Sequence, residues 1–86
     1  MSAIIHLTSS GEIVEVDRWL LDRIPSLAWL DRVVALREEA GQADDAGTYF
    51  AVGDLLAPET LPIQRERGLR IVREVLSNAE AQGGDE

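Results

Sequence analysis

The sequence has no cysteine, no lysine and a single histidine. Without cysteine there is no disulfide framework, and one imidazole cannot supply the three or four nitrogen and sulfur ligands of a usual zinc site. The missing lysine removes Schiff bases, lysine nucleophiles and the phosphate-binding lysine of a P-loop. Glycine-rich phosphate loops are absent too: Gly41 and Gly47 flank an acidic stretch, while Gly83 and Gly84 lie near the C-terminus. Apolar stretches such as Ala3-Ile4-Ile5 and Trp19-Leu20-Leu21 fall far short of the ~20 residues that span a bilayer. The opening Met1 to His6 lacks the basic and long apolar segments of a secretory signal. These absences set the expectation of a cytoplasmic chain with no cofactor, no metal and no membrane contact.

What is present is a core-forming composition with a strong charge bias. Hydrophobic residues make up 45% of the 86 positions, enough for one globular core. Residues 1–80 are expected to form a single domain, and 81–86, small, polar and acidic, a flexible tail. Sixteen acidic residues against eight arginines give a formal charge of −8, which repels nucleic acid and anionic lipid and favours basic or mixed apolar protein surfaces. Arginine without lysine in an Ala/Leu-rich chain is associated with GC-rich bacterial or phage genes.

Local patterns predict an α+β fold of order ββααβα. Residues 3–8 and 12–16 are β-rich runs around Ser9-Ser10-Gly11, where Gly11 supplies a positive-φ turn position. Ile5, Leu7, Val14 and Val16 are assigned to the inner face of this hairpin; His6, Glu12 and Glu15 lie on the outer face, which Ile4 and Ile13 leave partly apolar. Asp17 is placed to cap a short helix that Pro25 interrupts, and a core helix runs from about Ser26 to Ala40, with Gly41 as its stop. Residues 41–47 are expected to be an exposed loop. Thr48 to Val52 has high β propensity and is assigned as a third strand, with a short helix as the alternative. A final helix from Ile63 to about Ala79 carries Leu69, Val72, Val75, Leu76 and Ala79 on one face and Glu66, Arg70 and Glu74 on the other.

No arrangement of reactive residues stands out. Ser9 or Ser10 beside His6 lacks the geometry of a triad, and an outer-face histidine is the simpler assignment. Glu38-Glu39 and Asp44-Asp45 are neighbours that normally face water, and Asp44, Asp45 and Asp54 lack the ligand spacing of an EF-hand. Arg65, Arg67, Arg70 and Arg73 alternate with Glu66 and Glu74, which predicts salt-bridged helix surface first and a patch for an acidic protein second. Arg37 falls within the apolar arc of the core helix and must snorkel or pair. Trp19 points away from its apolar neighbours; core packing is the simpler assignment and a partner-facing anchor the alternative, since interfaces enrich Trp and Arg. The residues singled out for partner binding are therefore Trp19, Arg37, Tyr49, Arg67, Arg70 and Arg73.

Leu7 to Asp17 resembles the opening hairpin of the BTB-type adaptor family, in which a strand, a Ser-rich turn and a strand precede the first helix. That resemblance implies an adaptor role and does not continue past Pro25. The function expected from the residues is a non-catalytic protein-binding module: an inhibitor, antitoxin- or immunity-like protein, adaptor or accessory subunit. Two alternatives are an acidic mimic that occupies a nucleic-acid-binding surface, and an enzyme whose site, built on His6 or the loop acids, forms only in an oligomer. Self-association as a homodimer is expected of so small a core.

Overall fold

The computed structural model describes residues 4–83, with side chains described through residue 80. Strand β1 (Ile4–Leu7) and strand β2 (Ile13–Val16) form a two-stranded antiparallel hairpin, followed by helices α1 (Arg18–Leu21), α2 (Leu27–Gln42), α3 (Ala46–Leu56) and α4 (Pro62–Gly83). The architecture is broadly α+β, but its order is ββαααα. Helix α4 continues to Gly83, beyond the expected end at Ala79, and residues 84–86 of the expected tail lie outside the described residues.

The expected third strand is instead the middle of α3. Asp45 caps this helix: its carboxylate accepts from the Thr48 amide (3.3 Å) and from the Thr48 hydroxyl (2.7 Å). Downstream, Thr48, Ala51, Val52 and Leu55 are buried at i, i+3, i+4 and i+7, a helical spacing that outweighs the β propensity of Thr48, Tyr49, Phe50 and Val52. The expected loop at 41–47 shrinks to a tight turn. Helix α2 passes Gly41 and ends with the Asp45 amide donating to the Ala40 carbonyl (2.8 Å) and the Asp44 amide to the Gly41 carbonyl (3.3 Å). This is a Schellman motif whose left-handed residue is Asp44 (φ 63°), so the reversal comes three residues later than a glycine stop predicts.

In the hairpin, Gly11 has the expected positive φ of 91°. The loop closes through the Thr8 amide on the Glu12 carbonyl (2.8 Å), with the Glu12 amide donating to the Thr8 hydroxyl (3.0 Å). That closure pairs Ile4 with Val16, Ile5 with Glu15, His6 with Val14 and Leu7 with Ile13. Paired residues share a face, so the inner face of β1 carries Ile4 and His6, while Ile5 and Leu7 join Ile13 and Glu15 outside. The expected faces of β1 are thus exchanged: five residues between the strands, not four or six, set the parity.

The core consists of Val14 and Val16 from the hairpin, Leu20 from α1, Leu30, Val33, Val34 and Leu36 from α2, Ala51, Val52 and Leu55 from α3, and Leu69, Val72 and Leu76 from α4. Helix α3 packs against both α2 and α4. Its crossing with α4 is close because position 68 is glycine: a Cβ there would lie 2.5 Å from the Ala51 carbonyl oxygen. Ala79, assigned to the core face of the last helix, is exposed.

Candidate interaction surfaces

The register of the hairpin leaves an apolar face uncovered. Ile5, Leu7 and Ile13 are 65, 65 and 71% exposed on the outer side of the sheet, with Leu7 and Ile13 directly paired. A lone exposed aliphatic residue is ordinary, whereas three on one small rigid surface form a patch of the kind that marks contact sites. Glu15, opposite Ile5, gives the patch an acidic rim, whereas Glu12 has the parity of the inward Val14. Glu12 is held by an ion pair with Arg37 of α2. Arg37, singled out for a partner, therefore resolves its place in the apolar arc by pairing within the chain, and it fixes the hairpin loop to the core helix.

His6 also turns inward, contrary to its expected outer position. Its Nε2 lies 3.0 Å from the Asp31 carboxylate of α2, while the Ser10 hydroxyl hydrogen-bonds to that of Thr8. The imidazole and the Ser10 hydroxyl serve different contacts.

Trp19 sits at a junction that the sequence does not announce. Two guanidinium groups, of Arg23 and Arg65, each lie 4.3 Å from its ring centroid, which makes the half-buried indole a packing platform. Arg65 is 4% exposed and donates to both carboxylate oxygens of Asp17 (2.9 and 3.3 Å) and, through Nε and Nη2, to the Leu55 carbonyl at the end of α3 (3.2 and 3.0 Å). Asp17 also accepts from the Leu20 amide (3.1 Å) and so caps α1. The Arg65 guanidinium holds the Asp17 carboxyl below its ordinary pKa, against the opposing effect of partial burial and with help from the Leu20 amide. One side chain thus ties the starts of α1 and α4 to the end of α3. The signal was available: Arg65 stands one helical turn before Leu69 and two before Val72 on the buried stripe of α4.

The remaining arginines of α4 are exposed. Arg70 and Arg73, with Arg23 from the α1–α2 connection and Glu66, line a shallow depression over Leu69. Arg67 lies on the exposed surface of the same helix, outside that lining. Neither Arg67, Arg70 nor Arg73 forms an ion pair among the described residues, although Glu66 and Glu74 flank Arg70 at i−4 and i+4. Tyr49 is 44% exposed, with its ring against Gly41 and edge-on to Phe50 at a centroid distance of 5.8 Å. The six residues singled out from sequence are therefore dispersed: Trp19 and Arg37 support the fold, Tyr49 borders the α2–α3 turn, and Arg67, Arg70 and Arg73 remain on the surface of α4.

The acids of the α2–α3 turn have local duties. Thr48 hydrogen bonds, from the hydroxyl first and then the amide, lower the pKa of Asp45. Among the described residues no three His, Cys, Asp or Glu side chains are grouped to hold a metal ion, and no helix is long and apolar enough to cross a membrane. Comparison with known proteins matched no family model, no curated protein and no solved structure.

Proposed function

We propose that the chain is a non-catalytic protein-binding module that docks through the outer face of its hairpin onto a protein surface with an apolar centre and basic surround. The observation that carries this reading is the exposure of Ile5, Leu7 and Ile13 together on one face. Glu15 beside them, on a chain of charge −8, supplies the charge preference. Burying three aliphatic side chains provides affinity that survives salt, while the acidic rim hastens encounter.

The test is paired capture from nuclease-treated lysate of the source cell, using wild type and an Ile5→Glu/Ile13→Glu variant whose helicity is first confirmed by circular dichroism. The expected result is one stoichiometric protein, retained by wild type at low and high salt and lost from the variant. A partner released by moderate salt and indifferent to the hairpin variant would instead identify the acidic-mimic reading. Wild-type self-association abolished by the variant would make a second copy the occupant and refute a basic-rimmed partner.

A further inference from the structure

Eight arginines must be accommodated in an acidic molecule, and the structure sorts them into two kinds. Arg32 pairs with Glu80, Arg37 with Glu12 and Arg65 with Asp17, so these three charges are compensated within the chain. The depression over Leu69 collects arginines of the other kind. Arg23 stacks on Trp19 and donates to the Trp19 carbonyl (3.0 Å), and Arg73 donates to the Arg23 carbonyl (2.5 Å). These partners are neutral: they orient the guanidinium groups and leave their charge unspent. Among the described residues Arg70 completes the set with no hydrogen bond to another residue's side chain, and Glu66 is the single carboxylate lining the depression against three guanidinium groups.

We infer that this depression binds a short acidic segment of a protein, whose carboxylates meet Arg23, Arg70 and Arg73 while an aliphatic side chain rests over Leu69. Guanidinium forks recognise carboxylates in pairs, and arginines already positioned by backbone contacts lose less entropy on binding than free ones. The charge of the whole molecule selects against a long polyanion. Screening limits electrostatic reach to about 8 Å at physiological salt, so a short segment sees the local arginines, whereas an extended nucleic acid also meets the surrounding carboxylates. The site shares no residue with the hairpin face and does not depend on that reading.

The experiment is fluorescence anisotropy of the full chain with a short labelled peptide alternating glutamate and leucine. Its glutamine counterpart and an oligodeoxythymidylate of equal charge serve as comparison probes. Wild type is expected to bind the glutamate peptide at least about tenfold more tightly than either comparison probe, and Arg70→Ala/Arg73→Ala to weaken it by about tenfold or more. Arg32→Ala, at a compensated arginine, is expected to leave binding unchanged. The single Arg70→Ala change, which removes no hydrogen bond to another residue's side chain, is expected to weaken binding severalfold and serves if the double variant loses its helicity. No binding by wild type, equal binding by the Arg70 and Arg73 variants, or equal affinity for the oligonucleotide would overturn the inference.

Discussion

At the scale of single residues, the pair Asp17–Arg65 joins more elements than any other ion pair among the described residues. Arg65 reaches a helix cap, a helix end and an aromatic face at once, a combination that a planar five-donor guanidinium allows and an ammonium does not. Asp17→Asn keeps a capping oxygen but leaves a nearly buried cation without its counter-charge. The expected cost is about 2 kcal/mol at neutral pH, below the 3–5 of a fully buried pair because the Asp17 side chain is 29% exposed. Because folding lowers the Asp17 pKa, its contribution is complete above the ordinary carboxylate value and is lost as pH falls through the folded value. Urea denaturation from about pH 6 down to about pH 3 should therefore show wild type losing stability on the acid side and Asp17→Asn losing less. Asp45, with the same direction of shift, leaves the variant some acid dependence.

At the scale of elements, the legible parts were those in which one physical signal ruled. Asp17 as a cap, the break at Pro25, the apolar arc of α2 and the positive φ of Gly11 all follow from local chemistry. Two errors arose where signals competed. Residues 48–52 combine β-favouring side chains with an Asp-x-x-Thr cap and helical spacing of the buried positions, and burial between α2 and α4 decides for the helix. The faces of β1 depend on the exact loop count, and one residue of error moves Ile5 and Leu7 from core to surface. That second error hides most of the candidate docking face, since it assigns Ile5 and Leu7 to the interior and leaves Ile13 alone outside. Arg65 was hidden by company, grouped with three surface arginines although its spacing matched the buried stripe.

The helix packing offers its own test. In an exposed helix, replacing glycine by alanine gains about 1 kcal/mol. Gly68→Ala should do the opposite here and destabilise by about 1–3 kcal/mol, because the new Cβ meets the Ala51 backbone rather than a flexible side chain. Thermal unfolding of the variant gives the sign directly.

At the scale of the whole molecule, a strongly acidic chain keeps one apolar sheet face and one uncompensated arginine cluster in view. Its core is complete without either: the hairpin contributes Val14 and Val16 inward, Arg65 ties three helices together, and Arg37 ties the hairpin loop to α2. The features proposed for binding are thus separable from those that specify the fold. The proposal of a protein partner rests on the charge and the missing catalytic groups of the sequence, whereas the location of the proposed surfaces emerges only from hairpin parity and from which arginines find a carboxylate.

The measurement that bears most directly on this account is the stability of the free chain after Ile5→Thr, Leu7→Thr and Ile13→Thr are combined, read by urea denaturation. Threonine keeps the strand preference of a β-branched residue while removing apolar surface. If the outer face is free for docking, the triple variant should unfold within about 1 kcal/mol of wild type. A loss of about 3 kcal/mol or more would mean that the face is buried within the chain's own structure, and would contradict the proposed docking surface.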